Sequence, residues 1–328
     1  RVLFRSEVAC RRAVLTGVNQ TGAKLQEARM DEMGASFVEV TAHGGARPSH
    51  AVWQGRRYHR GGAVDYLGQH YEDFESATGY GTGAGLCGWN CRHTFFVVFP
   101  ELGSPPAWTQ ESLEALNARD IEYDGGLYTR YEISQMQRAR ERAVRKWKRR
   151  YLAEVAAGAD TTASTVKLRQ ARQSLADFTR ATGGRVDSAR TSVHGFGRSE
   201  ASRASYAARK QERFNAANTE LQQMREAGTI KAKGRLIESP SAPNEINFAS
   251  DHVLQRWAER GMGPMDAERI IRSSKVAMSQ RNGTQTCYYS ELGFVAIGQD
   301  GNVSSIGPLD EGGKKLMEVV KKHGIPHS

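Results

Sequence analysis

In the stretch Tyr80-Gly-Thr-Gly-Ala-Gly-Leu-Cys-Gly-Trp-Asn-Cys-Arg-His-Thr-Phe-Phe-Val-Val-Phe-Pro100, a glycine-rich loop runs through two cysteines and a histidine into an apolar segment. Glycine at 79, 81, 83, 85 and 88 permits positive φ or close backbone approach. Cys87, Cys91 and His93 are candidate metal ligands or small core residues. The apolar run from Phe95 to Phe99 predicts a buried strand, closed by Pro100, Pro105 and Pro106.

Upstream, residues 1 to 33 carry apolar positions at helical spacing, and Gly34 ends the predicted helix. Ser36 to Thr41 reads as a short strand. The segment His43-Gly-Gly-Ala-Arg-Pro-Ser-His-Ala-Val-Trp-Gln-Gly55 is turn-rich and reads as a loop presenting two histidines. Tyr66 to Ser76 is expected to be a short helix. A further helix starts after Thr109, whose hydroxyl can cap it. Strands interleaved with helices make the fold class α+β.

Zinc requires four soft or borderline ligands held by loops, and Cys87, Cys91, His93 and His43 form the candidate set, with His50 nearby. The CxxxCxH spacing lacks the paired knuckles of a strong zinc signature. The alternative is a hydrogen-bonded loop core in which His43, Arg47 and His93 pair with backbone while Trp53 and Trp89 pack. A nucleophile and base pair at Cys91 and His93 is a further reading, ranked below the structural one. No HExxH-type motif supplies a general base for a zinc enzyme.

The chain has 328 residues, enough for two or three domains, and no apolar run approaches the roughly 18 residues of a membrane span. Four cysteines do not make a disulfide framework, which favours a reducing compartment. The net charge of +10 is unevenly spread: Arg130 to Arg235 holds 24 Lys and Arg against 10 Asp and Glu. Helices are predicted over 131–155, 160–180 and 202–227, the first containing Arg145-Lys-Trp-Lys-Arg-Arg150. Such helices can neutralise phosphates without reading bases, or can simply be solvated faces.

Taken together, His43 to Gly55 and Thr78 to His93 resemble the phage minor capsid protein 2 family, head proteins related to the MuF-like group. Thr16-Gly-Val-Asn-Gln-Thr and Asp31-Glu-Met-Gly are similar to the same family, so the resemblance covers about residues 1 to 130. It implies a loop-rich, capsid-associated α+β domain, a place in the virion near the portal, and portal or capsid proteins and the phage genome as partners. It also implies that this chain is the C-terminal portion of a larger polypeptide.

Beyond the basic segment 131–235, residues 236–248 with Pro240 and Pro243 read as a linker. Residues 249–328 read as a small α+β domain: helix 249–260, helix 265–277, strands near 284–290, 293–298 and 302–307, then helix 311–323, with Gln299-Asp-Gly-Asn302 as a hairpin turn. In Asp251-His-Val-Leu-Gln-Arg-Trp-Ala-Glu-Arg-Gly261, helical spacing groups His252 with Arg256 and either Glu259 or Arg260, an imidazole to move protons beside one or two guanidinium groups to hold a phosphate.

The order of elements resembles the barnase/EndoU/colicin/RelE-like RNase superfold, including its toxin variants. That resemblance implies a metal-independent ribonuclease with His252 as base or acid, Arg256 and Arg260 as charge stabilisers, and Tyr289 and Ser305 presented from the sheet. RNA would be the substrate, an immunity protein a further partner, and the host cytoplasm a second location besides the virion. The competing expectation is a purely structural protein whose last domain is a non-catalytic binding module.

Overall fold

The computed structural model describes residues 3–237, 243, 246–248, 251–274 and 276–325. The chain divides into two units, the first made of Arg1–Ala143 with Gln173–Thr191, the second of Val144–Arg172 with Ser192–Ser328. Both mix helix and strand, so the fold class is α+β.

The first unit begins with α1 (Leu3–Met33), which stops where Gly34 takes φ 61. Its last third is seated in the core through Ala23 and Met30, whereas Val14, Leu15 and Val18 are exposed. There follow β1 (Phe37–Val40), α2 (Pro48–Ala51), β2 (Arg57–His59), β3 (Val64–Tyr66), β4 (Gln69–Tyr71), α3 (Phe74–Thr78) and β5 (Phe95–Val97). An antiparallel sheet has the order β2-β1-β5, with Val38 opposite both Tyr58 and Val97. Val38, Val40, Tyr58, Phe74, Leu86 and Phe95 fill the core beside it. Glu39, buried at the middle of this sheet, accepts from Arg57 Nε at 2.8 Å and from the Ala107 N–H, so its charge is paired and hydrogen-bonded.

The expected helix over Tyr66 to Ser76 is instead the hairpin β3-β4 followed by α3. Leu67 and Gly68 both take positive φ (51 and 75), the geometry of a two-residue turn between strands. Asp73 then caps α3 by accepting from the Ser76 N–H at 2.9 Å. Helix α4 (Gln110–Asn117) starts at Thr109, whose hydroxyl accepts from the Ser112 N–H, as expected. A hairpin of β6 (Arg119–Tyr123) and β7 (Gly126–Thr129) turns at Asp124-Gly125, a dipeptide that signals such a turn. Helices α5 (Arg130–Ala156) and α6 (Thr162–Ala181) each contribute to both units, and α7 (Ser188–Thr191) closes the first.

The second unit contains α8 (Arg198–Glu226), β8 (Arg235–Ile237), α9 (Asp251–Ala258), α10 (Pro264–Arg272), β9 (Val276–Gln280), β10 (Gln285–Ser290), β11 (Gly293–Gly298), β12 (Val303–Gly307) and α11 (Glu311–Lys322). All strands are antiparallel, in the order β12-β11-β10-β9-β8. Alternation along each strand divides the side chains between two layers. Val276, Met278, Cys287, Tyr289 and Ala296 pack with α8 and α11, through Phe214, Leu221, Leu316 and Val320. Ala277, Tyr288, Val295, Ile297 and Ile306 pack with α9 and α10, through Trp257, Ala267, Ile270 and Ile271.

Two boundaries differ from the sequence reading. The helix expected over 265–277 ends at Arg272, and Val276 begins a strand because its alternating residues feed both layers. The stretch read as a linker from 236 begins inside β8, whose Leu236 pairs with Met278; much of the remainder lies outside the described residues.

Candidate metal centre

The glycine-rich loop folds back on itself after α3. Gly79 caps that helix at φ 64, and a Cβ on Gly85 would lie 1.9 Å from the Gly79 carbonyl oxygen. The Leu86 N–H donates to Thr78 O at 3.0 Å and the Trp89 N–H to Gly83 O at 2.7 Å, tying the loop across its own base. Cys87 and Asn90 take left-handed φ of 58 and 56, which turns the exiting chain inward. From α1, Asn19 Nδ2 donates to the carbonyls of both Cys91 and His93. Opposite, Pro48 occupies the first turn of α2, where its missing N–H costs nothing. The Gln54 N–H donates to His50 O at 3.0 Å, so His50 and Gln54 follow one another down one helical turn.

These elements converge on a buried cluster. The ligand atoms of His50, Cys91 and His93 lie within 4.8 Å of one another, and this group could hold a metal ion. Cys91 Sγ is 3.5 Å from His93 Nδ1. His93 Nε2 is 2.9 Å from Gln54 Oε1, and His50 Nε2 is 2.9 Å from Ala84 O. An amide oxygen can only accept, so both imidazoles carry their proton on Nε2 and their lone pair on Nδ1. His43 stacks on His93 with ring centroids 4.3 Å apart, and Trp53 meets His93 edge-on at 4.9 Å. Two buried polar atoms in this neighbourhood have no hydrogen-bond partner, His43 Nε2 and Gln54 Nε2.

Electrostatics keep every titrating group here neutral near pH 7. Burial, reinforced by the neighbouring His43 and His50 imidazoles and the Arg92 and Arg47 cations, pushes His93 down to about 3. Burial also lowers His43 and His50, partly offset by their carbonyl partners. Burial pushes the Cys87 thiol up to about 12 and raises Cys91. A neutral thiol beside a neutral imidazole is not an activated nucleophile, which needs the thiolate.

Of the ligands expected from sequence, Cys91 and His93 are brought together. The Cys87 thiol instead donates to the His93 carbonyl at 3.6 Å, and His43 contributes a stacked ring outside the His50, Cys91 and His93 group. Cys91 and His93, two residues apart just before the strand that starts at Phe95, put their side chains on one side of the chain, as alternate residues of an extended segment do, and Sγ and Nδ1 come within 3.5 Å. His50 and Gln54 carry more of the centre than the sequence reading gave them. Their spacing of four residues after a helix-starting proline is the signal that finds them.

In the second unit, the described members of the proposed catalytic set are divided between the two layers of the sheet. Tyr289 is 6% exposed and belongs to the layer under α8 and α11. Ser305 is in register with Ala296, so it falls on that same layer, whereas α9 packs on the other through Trp257. Arg260 donates to the Ile306 carbonyl at 2.7 Å, fastening the end of α9 to β12. The side chains of His252 and Arg256 lie outside the described residues.

Comparison with family models matches residues 4–180 to one described as phage minor capsid protein 2. No curated protein and no solved structure matches the chain. The matched stretch exceeds half of the 328 residues and contains α1, the His50 helix, the glycine-rich loop and the start of the basic helices. The chain therefore belongs to the phage minor capsid protein 2 family, and its role is that of a structural component of the virion.

Proposed function

We propose that the chain serves in the phage head as an assembly component that joins portal or capsid proteins through its first unit and contacts packaged DNA through its basic helices. The His and Cys centre is a fold-bracing zinc site on this reading, not an active site. The observation that supports it is burial: His50, Cys91 and His93 are 2%, 8% and 1% exposed, which leaves a substrate no approach to the thiol. The test is the protein content of purified particles of the phage encoding it. The chain is expected at a fixed copy number that survives washing with salt. Recovery only in the particle-free lysate overturns the reading.

A second reading, a C-terminal ribonuclease, is favoured by the order α9, α10, antiparallel sheet, α11, which follows the expected succession of elements. With Tyr289 in the core and Ser305 across the sheet from α9, such an enzyme would depend on His252, Arg256 and Arg260. Full-length protein and its His252→Ala variant, incubated with tRNA, separate the possibilities. Cleavage lost in the variant supports the enzyme; no cleavage by the parent leaves the second unit as a binding module.

A further inference from the structure

We propose that His50 Nδ1, Cys91 Sγ and His93 Nδ1 are the protein ligands of one zinc ion, and that Cys87 is not among them. The inference rests on the reading of the first unit as a structural module, and it replaces two of the ligands that spacing alone suggests.

Distance is the first support. A thiolate and an imidazole bound to zinc at about 2.3 and 2.1 Å, at a tetrahedral angle, stand about 3.6 Å apart. Cys91 Sγ and His93 Nδ1 are 3.5 Å apart, a match to that separation. Orientation is the second. A ligating histidine usually donates its remote N–H to a carbonyl or carboxylate, which fixes the ring and its lone pair. His93 does so to Gln54 Oε1, and His50 does so to Ala84 O. Gln54 is itself held, because its Oε1 also accepts from the His43 N–H at 3.1 Å. The third support is a buried polar atom without a partner, His43 Nε2, in the ring stacked 4.3 Å from His93. A buried polar group left unpaired in this way marks a site where a water or ion belongs. A water completing the tetrahedron as fourth ligand would offer this atom a hydrogen-bond partner.

The mixed nitrogen and sulfur set selects a borderline ion, for which zinc is the common occupant. Binding needs only the loss of the Cys91 proton to solvent, since both imidazoles already present lone pairs. The ion would then join α2 to the exit of the glycine-rich loop, two segments that already meet through hydrogen bonds and ring packing. Both thiols reach the His93 carbonyl, Cys87 at 3.6 Å and Cys91 at 3.9 Å, but only Cys91 joins the group of ligand atoms within 4.8 Å of one another.

The test uses the full chain purified without chelator, its zinc content measured directly, and the protein then reloaded with cobalt(II). One equivalent of zinc is expected, and the cobalt form should show a thiolate charge-transfer band in the near ultraviolet. His50→Ala and Cys91→Ser should each lower zinc to under about a tenth of an equivalent, and Cys91→Ser should abolish the band. Cys87→Ser should keep both zinc and band, which also shows that a thiol in this loop can be replaced without unfolding it. Less than about a tenth of an equivalent in the parent after reconstitution, or loss of the band in Cys87→Ser with circular dichroism unchanged, overturns the assignment. Metal content is independent of particle incorporation, so a metal-free chain found in virions would refute this inference alone.

Discussion

Gln54 shows how one neutral side chain can organise a charged-looking centre. It is fully buried, and its amide oxygen accepts from both the His93 ring and the His43 backbone. Replacing it by leucine keeps volume but strands two donors in a dry site. A buried donor left unsatisfied costs about 1–3 kcal/mol, so Gln54→Leu is expected to lower stability by at least that amount. The urea midpoint of the first transition measures it, and a midpoint equal to the parent's would show that the amide is not needed. Glutamine is seldom singled out when a sequence is searched for ligands, since it neither titrates nor prefers metals. Its importance comes from contacts 39 and 11 residues away along the chain, which local spacing does not reveal.

Among the elements, the glycine-rich loop was legible as a loop, but the reason for its glycines was not. Gly85 has an ordinary φ, and its constraint is space: a Cβ there would collide with the Gly79 carbonyl at 1.9 Å. Since that neighbour is backbone and cannot move aside as a side chain would, Gly85→Ala is expected to cost about 1–3 kcal/mol, read from thermal unfolding. The hairpins β3-β4 and β6-β7 were hidden for a related reason. Strands of three to five residues carry too few alternations to outweigh neighbouring helix-like patterns, although Asp124-Gly125 marks the second turn. By contrast α1, α5, α8, α11 and the strands β10 and β11 were readable because each repeats its period several times. Between α8 and α11, Glu220 accepts from Lys322 at 2.8 Å and meets His323 Nε2 at 2.7 Å. These partners hold the Glu220 carboxyl below its ordinary range near 4.5. An unfolded chain therefore takes up the proton first as pH falls, and stability contributed above about 4.5 is lost through the lower, folded value. Glu220→Gln should be less stable than the parent at pH 6, and the difference should shrink as the pH is lowered below about 4. A constant difference across that range would mean the carboxylate does not contribute through its charge.

At the scale of the whole molecule, the basic excess runs along α5, α6, α8 and the segment that follows α8. Residues Arg130 to Arg235 hold 24 basic against 10 acidic side chains, in a chain whose total is only +10. The rest of the molecule is therefore net acidic, and a uniform solvated surface would not divide charge this way. Along α5, Arg142, Lys146 and Arg150 are exposed at four-residue intervals, whereas Val144 and Tyr151 face inward. A stripe of that spacing stays on one side of the helix and can follow a phosphate backbone. The full chain should bind duplex DNA of unrelated sequences equally, because nothing on the stripe reads base edges. Each phosphate neutralised contributes a slope of about −0.9 to log K against log salt. Removing two cations in an Arg142→Glu, Lys146→Glu variant should flatten that slope by about 2, measured by fluorescence anisotropy between about 50 and 200 mM salt. Glu154, which pairs with Arg150, gives the control: Glu154→Gln frees a cation at the end of the stripe and should leave binding equal or tighter. If the double variant keeps the parent's slope, the stripe is a solvated face and the DNA contact lies elsewhere on the molecule.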